Sequence, residues 1–253
     1  MTERSWGDYS ALFGLDSLRR RLKILLAAFA NHRFERRSPI GPIDHQLLDE
    51  ILSVDVRLPP RRHLSHPGMQ SIEGLLFLAS LARAIDAKTI FEIGTFTGGT
   101  TWTLAMNAPD ATVHTLDIPV DSGAALALEE SDRHRADPNL MLYRDQKEGA
   151  RIKQHWADSA RFDFSPFKGG MDLIVIDGAH SRDYVSADSR NALAMLSPKG
   201  AIVWDDYWRL SPGVTATLNE MHSSIPLFRV PQTRLVIHLP QASVDGLRGR
   251  SAT

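Results

Sequence analysis

Three aspartates and a histidine carry the strongest chemical signal in this 253-residue chain. Asp177 ends the apolar run Leu173-Ile174-Val175-Ile176, and Asp205-Asp206 end the run Gly200–Trp204. Carboxylates at the ends of neighbouring buried strands raise one another's pKa by repulsion unless a cation lies between them. An oxygen-only donor set suits a hard divalent ion, Mg²⁺ or Mn²⁺. His180 follows Asp177 by three positions. Imidazole titrates near neutrality, so His180 suits a general base. Orienting a metal ligand, or binding the metal directly, are the other roles open to it.

A second set of acids sits at other strand ends. The stretch Glu92-Ile93-Gly94-Thr95-Phe96-Thr97-Gly98-Gly99 closes an apolar run and opens a helix. Gly94 and Gly98 are four apart, which fits the dinucleotide fingerprint poorly, and the phosphate-binding lysine motif is absent. That disfavours a pyrophosphate ligand. Asp117 ends the next strand, where a carboxylate can accept both hydroxyls of a ribose. Asp158, at the end of a third strand, is placed to accept an adenine amino hydrogen.

These residues need an open sheet to bring them together. Apolar runs predict strands at Thr89–Ile93, Thr112–Leu116, Ile152–Trp156, Met171–Ile176 and Gly200–Trp204, with two last strands at Leu227–Val230 and Arg234–His238. Helical spacing appears from Pro67-Gly68 to about Ile85, after Gly99, over Tyr184–Leu196 and near Val214–Met221. Strand, helix and strand in succession imply parallel βαβ units with right-handed crossovers. The fold class is therefore α/β: seven strands, mostly parallel, with an antiparallel end and flanking helices. Residues 67–242 form the catalytic domain, interrupted by a charged insertion at about 119–150 on the ligand side of the sheet. Residues 1–66 read as a helical accessory segment, with Leu18, Leu22, Leu25, Leu26 and Phe29 at helical spacing. Its role would be a substrate cap or an oligomer contact. Residues 243–253 read as a polar, frayed tail.

Composition excludes several classes. A 43% hydrophobic chain of this length supports one substantial core. The net charge of −1 gives no global argument for nucleic acid. The chain has no cysteine, so disulfides, thiolate nucleophiles and cysteine-ligated zinc are out. No run has the length of a membrane span and no signal core opens the chain, so the expectation is a cytoplasmic protein.

From Glu92 to Gly99 the chain resembles motif I of the class I S-adenosylmethionine-dependent methyltransferases. Trp156-Ala157-Asp158-Ser159, Asp177-Gly178-Ala179-His180-Ser181 with Tyr184-Val185 and Asp188, and Ile202-Val203-Trp204-Asp205-Asp206-Tyr207 extend the likeness. They resemble one branch, the metal-dependent O-methyltransferases of macrolide sugars, together with a cephalosporin hydroxylase-like component. The resemblance spans about residues 68–240. It implies S-adenosylmethionine held by Glu92, Gly94, Thr95, Gly98, Asp117, Asp158 and Ser159, with Glu92 at the methionine portion. It assigns the metal to Asp177, Asp205 and Asp206, and the base to His180. The implied acceptor is a small hydroxylated molecule, a sugar of a glycosylated natural product or a saccharide, and the implied assembly is a homo-oligomer. A hydroxylase-associated relative and a non-enzymatic binding protein on the same fold are the alternatives. The first wants two histidines and a carboxylate around iron, a set that His180 and three aspartates do not supply.

Overall fold

A computed structural model describes residues 34–60, 63, 70–119, 122–129, 132, 137, 139 and 141–250. The chain divides into two compact units, Met1–Pro39 and Ile40–Thr253. Of the first, residues 34–39 are described, helical over 34–37. The helix expected around residues 18–29 lies outside the described residues.

The second unit is built on a seven-stranded sheet of order β3-β2-β1-β4-β5-β7-β6. Its strands are β1 (Thr89–Ile93), β2 (Thr112–Asp117), β3 (Ile152–Trp156), β4 (Met171–Ile176), β5 (Leu196–Trp204), β6 (Phe228–Arg229) and β7 (Val236–His238). The first five pair in parallel, and β7 runs antiparallel to both β5 and β6. Near-continuous apolar runs explain the parallel part. Ile90, Phe91, Leu173, Ile174, Val175, Ile202 and Val203 are fully buried, because helices and aromatic segments cover both faces.

The helices are α1 (His45–Leu52), α2 (Ile72–Ala84), α3 (Gly99–Asn107), α4 (Arg182–Met195), α5 (Pro212–Met221) and α6 (Gln241–Arg250). Ser71 caps α2 by accepting from Gly74 N, and Asp44 caps α1 by accepting from Leu47 N. Gly98 stands at the N-cap of α3 with φ 76° and supplies no side chain. Among the described residues no helix is long and apolar enough to cross a membrane.

Three boundaries differ from the sequence expectation. The accessory segment does not extend to residue 66, because Ile40, Ile43, Leu47 and Ile51 are buried in the core of the second unit. Pro42 also bridges to Arg229 beside β6. Residues 40–52 therefore belong to the packed second unit rather than to the accessory segment. The described part of the tail is not frayed: residues 241–250 are helical, Ser243 Oγ donates to Gly200 O at 2.8 Å, and Leu247 is buried. Finally, Pro198-Lys199-Gly200 lies within β5, which begins directly after α4 rather than after a closing turn.

Strand order reverses between β1 and β4: β2 and β3 continue to one side, β5 to the other. In open α/β sheets ligands bind outside the carboxyl ends of the strands at such a point. Gly94 and Asp177 stand there. Backbone bonds carry the ladder one residue past the strands, with Asp177 N donating to Ile93 O at 2.8 Å and Asp205 N to Ile176 O at 2.9 Å. The strand-end acids are thereby held side by side.

Candidate active site

A cavity of about 1020 Å³ opens over these strand ends. Gly94, Asp117, Asp158, Ser159, Asp177, His180, Asp205 and Asp206 line it, as do Asp132, Trp208 and Arg234. Its volume lies at the upper end of small-molecule sites, with room for a cofactor and an acceptor together.

Asp177, Asp205 and Asp206 each present a carboxylate oxygen within 4.8 Å of the others. Burial and the charges of Asp205 and Asp206 push Asp177 well above the usual carboxylate range. Burial and Asp206 raise Asp205 to about 6 against the nearby Arg234 and the Gln70 amide. Burial also opposes the Asp206 anion, but His180 and Arg234 outweigh it and hold Asp206 low. Asp206 sits at φ 59°, a left-handed conformation that aspartate tolerates better than most residues. Asp205 Oδ1 is buried without a hydrogen-bond partner among the described residues. Crowded carboxylates with an unmet acceptor atom fit a hard cation held by oxygen.

His180 is gripped from two sides. Its Nδ1 hydrogen-bonds Asp132 Oδ1, its backbone N–H donates to Asp132 Oδ2 at 3.0 Å, and Nε2 lies 2.6 Å from Asp206 Oδ2. Burial disfavours the imidazolium, but these two carboxylates prevail and push His180 up to about 10.

On the other side of the switch point, Asp117 Oδ2 accepts from Thr95 N and Phe96 N at 3.0 and 2.8 Å, and Oδ1 from Ile118 N at 2.7 Å. Asp158 accepts from Ala125 N at 2.6 Å and from the Tyr184 hydroxyl at 3.0 Å. It thus ties the insertion and α4 to the end of β3. Ser159 lines the cavity beside Asp158, and its hydroxyl lowers the neighbouring Asp188, which burial raises to about 7.

Glu92, Thr95 and Gly98 lie beneath this floor, outside the lining residues. Glu92 is fully buried; Thr101 and Thr115 donate to its Oε2, and Thr115 Oγ1 is 2.7 Å from Thr95 Oγ1. Gln154 Nε2 extends the network to Thr95 Oγ1, and the Tyr143 hydroxyl donates to Gln154. Of the aromatic residues after β5, Trp208 lines the cavity. Trp204 is core, its Nε1 donating to Ser189 Oγ at 2.9 Å, and the buried Tyr207 donates to Asn219 at 2.6 Å.

Sequence reasoning missed Asp132, Tyr143 and Arg234. Asp132 sits in a charged run and Tyr143 in a short apolar patch, and neither carries a local signal. Arg234 stands just before β7, and only the antiparallel return of that strand brings it to Asp205.

A family model described as a methyltransferase domain matches residues 91–207. No curated protein sequence matches the chain. Among solved structures, the O-methyltransferase NovP is 13% identical, with 77% of this chain and 96% of that chain covered at a TM-score of 0.55. The SAH-bound Podospora anserina methyltransferase PaMTH1 is 16% identical, with 87% and 95% covered at 0.54. The SAM complex of the Streptomyces achromogenes O-methyltransferase TomG, involved in tomaymycin synthesis, is 17% identical, with 85% and 98% covered at 0.50. These likenesses concern the fold, and the family match falls on the span from β1 to the end of β5 that builds the cavity. The chain has the class I methyltransferase fold, and residues 91–207 of it match a methyltransferase-domain model.

Proposed function

We propose that this protein transfers a methyl group from S-adenosylmethionine to a hydroxyl of a small molecule, with a divalent cation held by Asp177, Asp205 and Asp206. One observation carries the reading: three aspartates with ligand oxygens within 4.8 Å share a cavity with the Gly94 loop, Asp117 and Asp158. The methyltransferase domain match supports the donor, as do the SAH and SAM bound in PaMTH1 and TomG. The sugar-type acceptor rests on the sequence resemblance.

When bound, the donor would supply an electrophilic methyl on a sulfonium, and the cation held by Asp177, Asp205 and Asp206 would supply Lewis-acid activation of the acceptor hydroxyl. The remaining work falls to side chains. Asp117 and Asp158 mark the nucleoside end of the cavity; Trp208 and Arg234 mark the acid-cluster end. His180 Nε2 is the base candidate, its ring fixed by Asp132 at Nδ1. In the structure that nitrogen faces Asp206, and the two carboxylates favour the imidazolium, so His180 acts as a base only once a cation draws Asp206 away and the ring releases its Nε2 proton.

Calorimetry with S-adenosylmethionine, followed by an acceptor screen of sugars and glycosides with and without Mg²⁺ or Mn²⁺, tests the reading. The expected result is donor binding and a cation-dependent mass gain of one methyl. Absence of donor binding would overturn the enzyme assignment, and turnover unchanged by chelation would overturn the cation.

A further inference from the structure

Arg234 has no assigned part in the reaction, yet it pairs with two of the three clustered aspartates. Its carbonyl accepts from Tyr207 N at 2.9 Å, which ties its main chain to the segment bearing Asp205 and Asp206. Its guanidinium reaches both carboxylates: Nη1 is 2.9 Å from Asp206 Oδ1 and Nη2 is 3.3 Å from Asp205 Oδ2. The same group lies 5.4 Å from the centre of the Trp208 ring. The side chain is 34% exposed, toward the cavity it helps to line. A guanidinium does not deprotonate in proteins, so this positive charge is permanent.

Two of the three carboxylates read as cation ligands therefore already share an internal cation. In the ion-free protein, Arg234 relieves the repulsion between Asp205 and Asp206. Once a divalent ion takes those oxygens, the guanidinium becomes a like charge a few ångströms away in a partly desolvated site. It has an alternative seat, since an aromatic face attracts a guanidinium at this range.

We propose that Arg234 is a positioning residue that competes with the divalent ion for Asp205 and Asp206, so that ion binding displaces its guanidinium toward Trp208. The inference rests on the reading of the three aspartates as the ion site. A purely scaffolding arginine predicts the opposite sign. Its loss would loosen the carboxylates and weaken the ion, whereas loss of a competitor strengthens it.

Calorimetric titration with Mg²⁺ and Mn²⁺, without acceptor, separates the two. Arg234→Met and Arg234→Gln should bind the ion about tenfold more tightly than wild type, as removal of a like charge at this distance implies. Arg234→Lys, which keeps the charge, should stay near wild type. Equal or weaker binding in folded neutral variants overturns the inference and leaves the ion site standing. Binding to neither wild type nor any variant overturns both. Should the neutral variants not fold, arginine-labelled NMR of the wild type decides. The Arg234 guanidinium signal, assigned by its loss in Arg234→Lys, should move on addition of Mg²⁺, and an unmoved signal overturns the competition.

Discussion

His180 Nε2 lies 2.6 Å from Asp206 Oδ2 while Asp132 holds the ring at Nδ1. One imidazole thus links the insertion to the strand end that carries two of the clustered aspartates. Asp132 also receives the Glu129 N–H at 3.1 Å, so the contact organises the insertion as well as the histidine.

His180→Ala should therefore have two effects. Methyl transfer should fall by about 10²–10⁴-fold, the usual contribution of a general base. Donor affinity should stay within about threefold, because Asp117 and Asp158 are untouched. Hydrogen exchange should show faster exchange over residues 122–129 as the Asp132 anchor is lost. Turnover near the wild-type rate would remove His180 from the base role.

Glu92→Gln tests the buried network under the Gly94–Gly98 loop. Burial pushes Glu92 up to about 7, against the lowering hydrogen bonds of Thr101 and Thr115 and with the help of Asp117. The folded value exceeds the unfolded one, so this contribution to stability is full below about pH 4.5. It is lost as pH rises through about 7, by an amount on the order of 3 kcal/mol. Glutamine mimics the protonated acid and can still accept from both threonines. The stability difference between wild type and Glu92→Gln, followed by urea unfolding, should fall across that window, leaving the variant equal or more stable at pH 8. Because the carboxylate lies outside the cavity lining, donor affinity should change by no more than about threefold. A larger loss would place Glu92 at the methionine portion after all.

Much of this arrangement was legible because a parallel sheet converts sequence position into spatial position. An acid directly after each apolar run must arrive at the same edge, so Asp117, Asp158, Asp177 and Asp205 could be grouped without coordinates. Facing is harder to read. Glu92 and Thr95 point into a layer beneath the cavity, and the resemblance carried no sign of it. Asp132 and Arg234 were illegible for a different reason. They meet His180 and Asp205 across 48 and 29 residues, through a loop and an antiparallel return that leave no periodicity. The stretch before α2 reads as part of the accessory segment because the helical spacing of Leu47 and Ile51 marks a helix without showing which unit it packs against. In α6 the buried Ser243 and Leu247, four apart, were too sparse to mark a docked helix.

Asp177→Asn should trade function for stability. Burial, and then the charges of Asp205 and Asp206, raise Asp177, so a neutral amide removes both a desolvation cost and repulsion in the ion-free protein. At pH 8 the ion-free variant should melt a few degrees above wild type, since about 1 kcal/mol moves a protein of this size by roughly 2–4 °C. Saturating Mg²⁺ at a hundred times its dissociation constant should stabilise wild type by about 2.7 kcal/mol. The variant should show no such rise and no turnover. A variant that melts below wild type without Mg²⁺ would mean the cluster is held by something other than an exchangeable cation.

The two glycines of the loop after β1, Gly94 and Gly98, should respond unequally to alanine. At Gly94, φ is 100° and a Cβ would stand 2.0 Å from Asp177 O and 2.9 Å from Gly178 N. Both obstacles are backbone just past the end of β4, where Asp177 N is bonded to Ile93 O, and they cannot yield without disturbing the contact that sets the acids side by side. Gly94→Ala should lose more than about 4 kcal/mol or fail to fold. At Gly98, φ is 76° and the obstacle is the Tyr143 ring, 2.4 Å away at its nearest atom. A left-handed non-glycine residue costs about 1 kcal/mol and overpacking about 1–3 kcal/mol. Gly98→Ala should therefore fold with a loss of about 2–4 kcal/mol. Part of that loss belongs to the ring rather than the backbone, so Tyr143→Leu in the same chain should recover it. A double-mutant cycle by urea unfolding should give a coupling of at least about 1 kcal/mol between the two positions. Additive losses would show that Tyr143 moves aside freely and does not brace the loop from below.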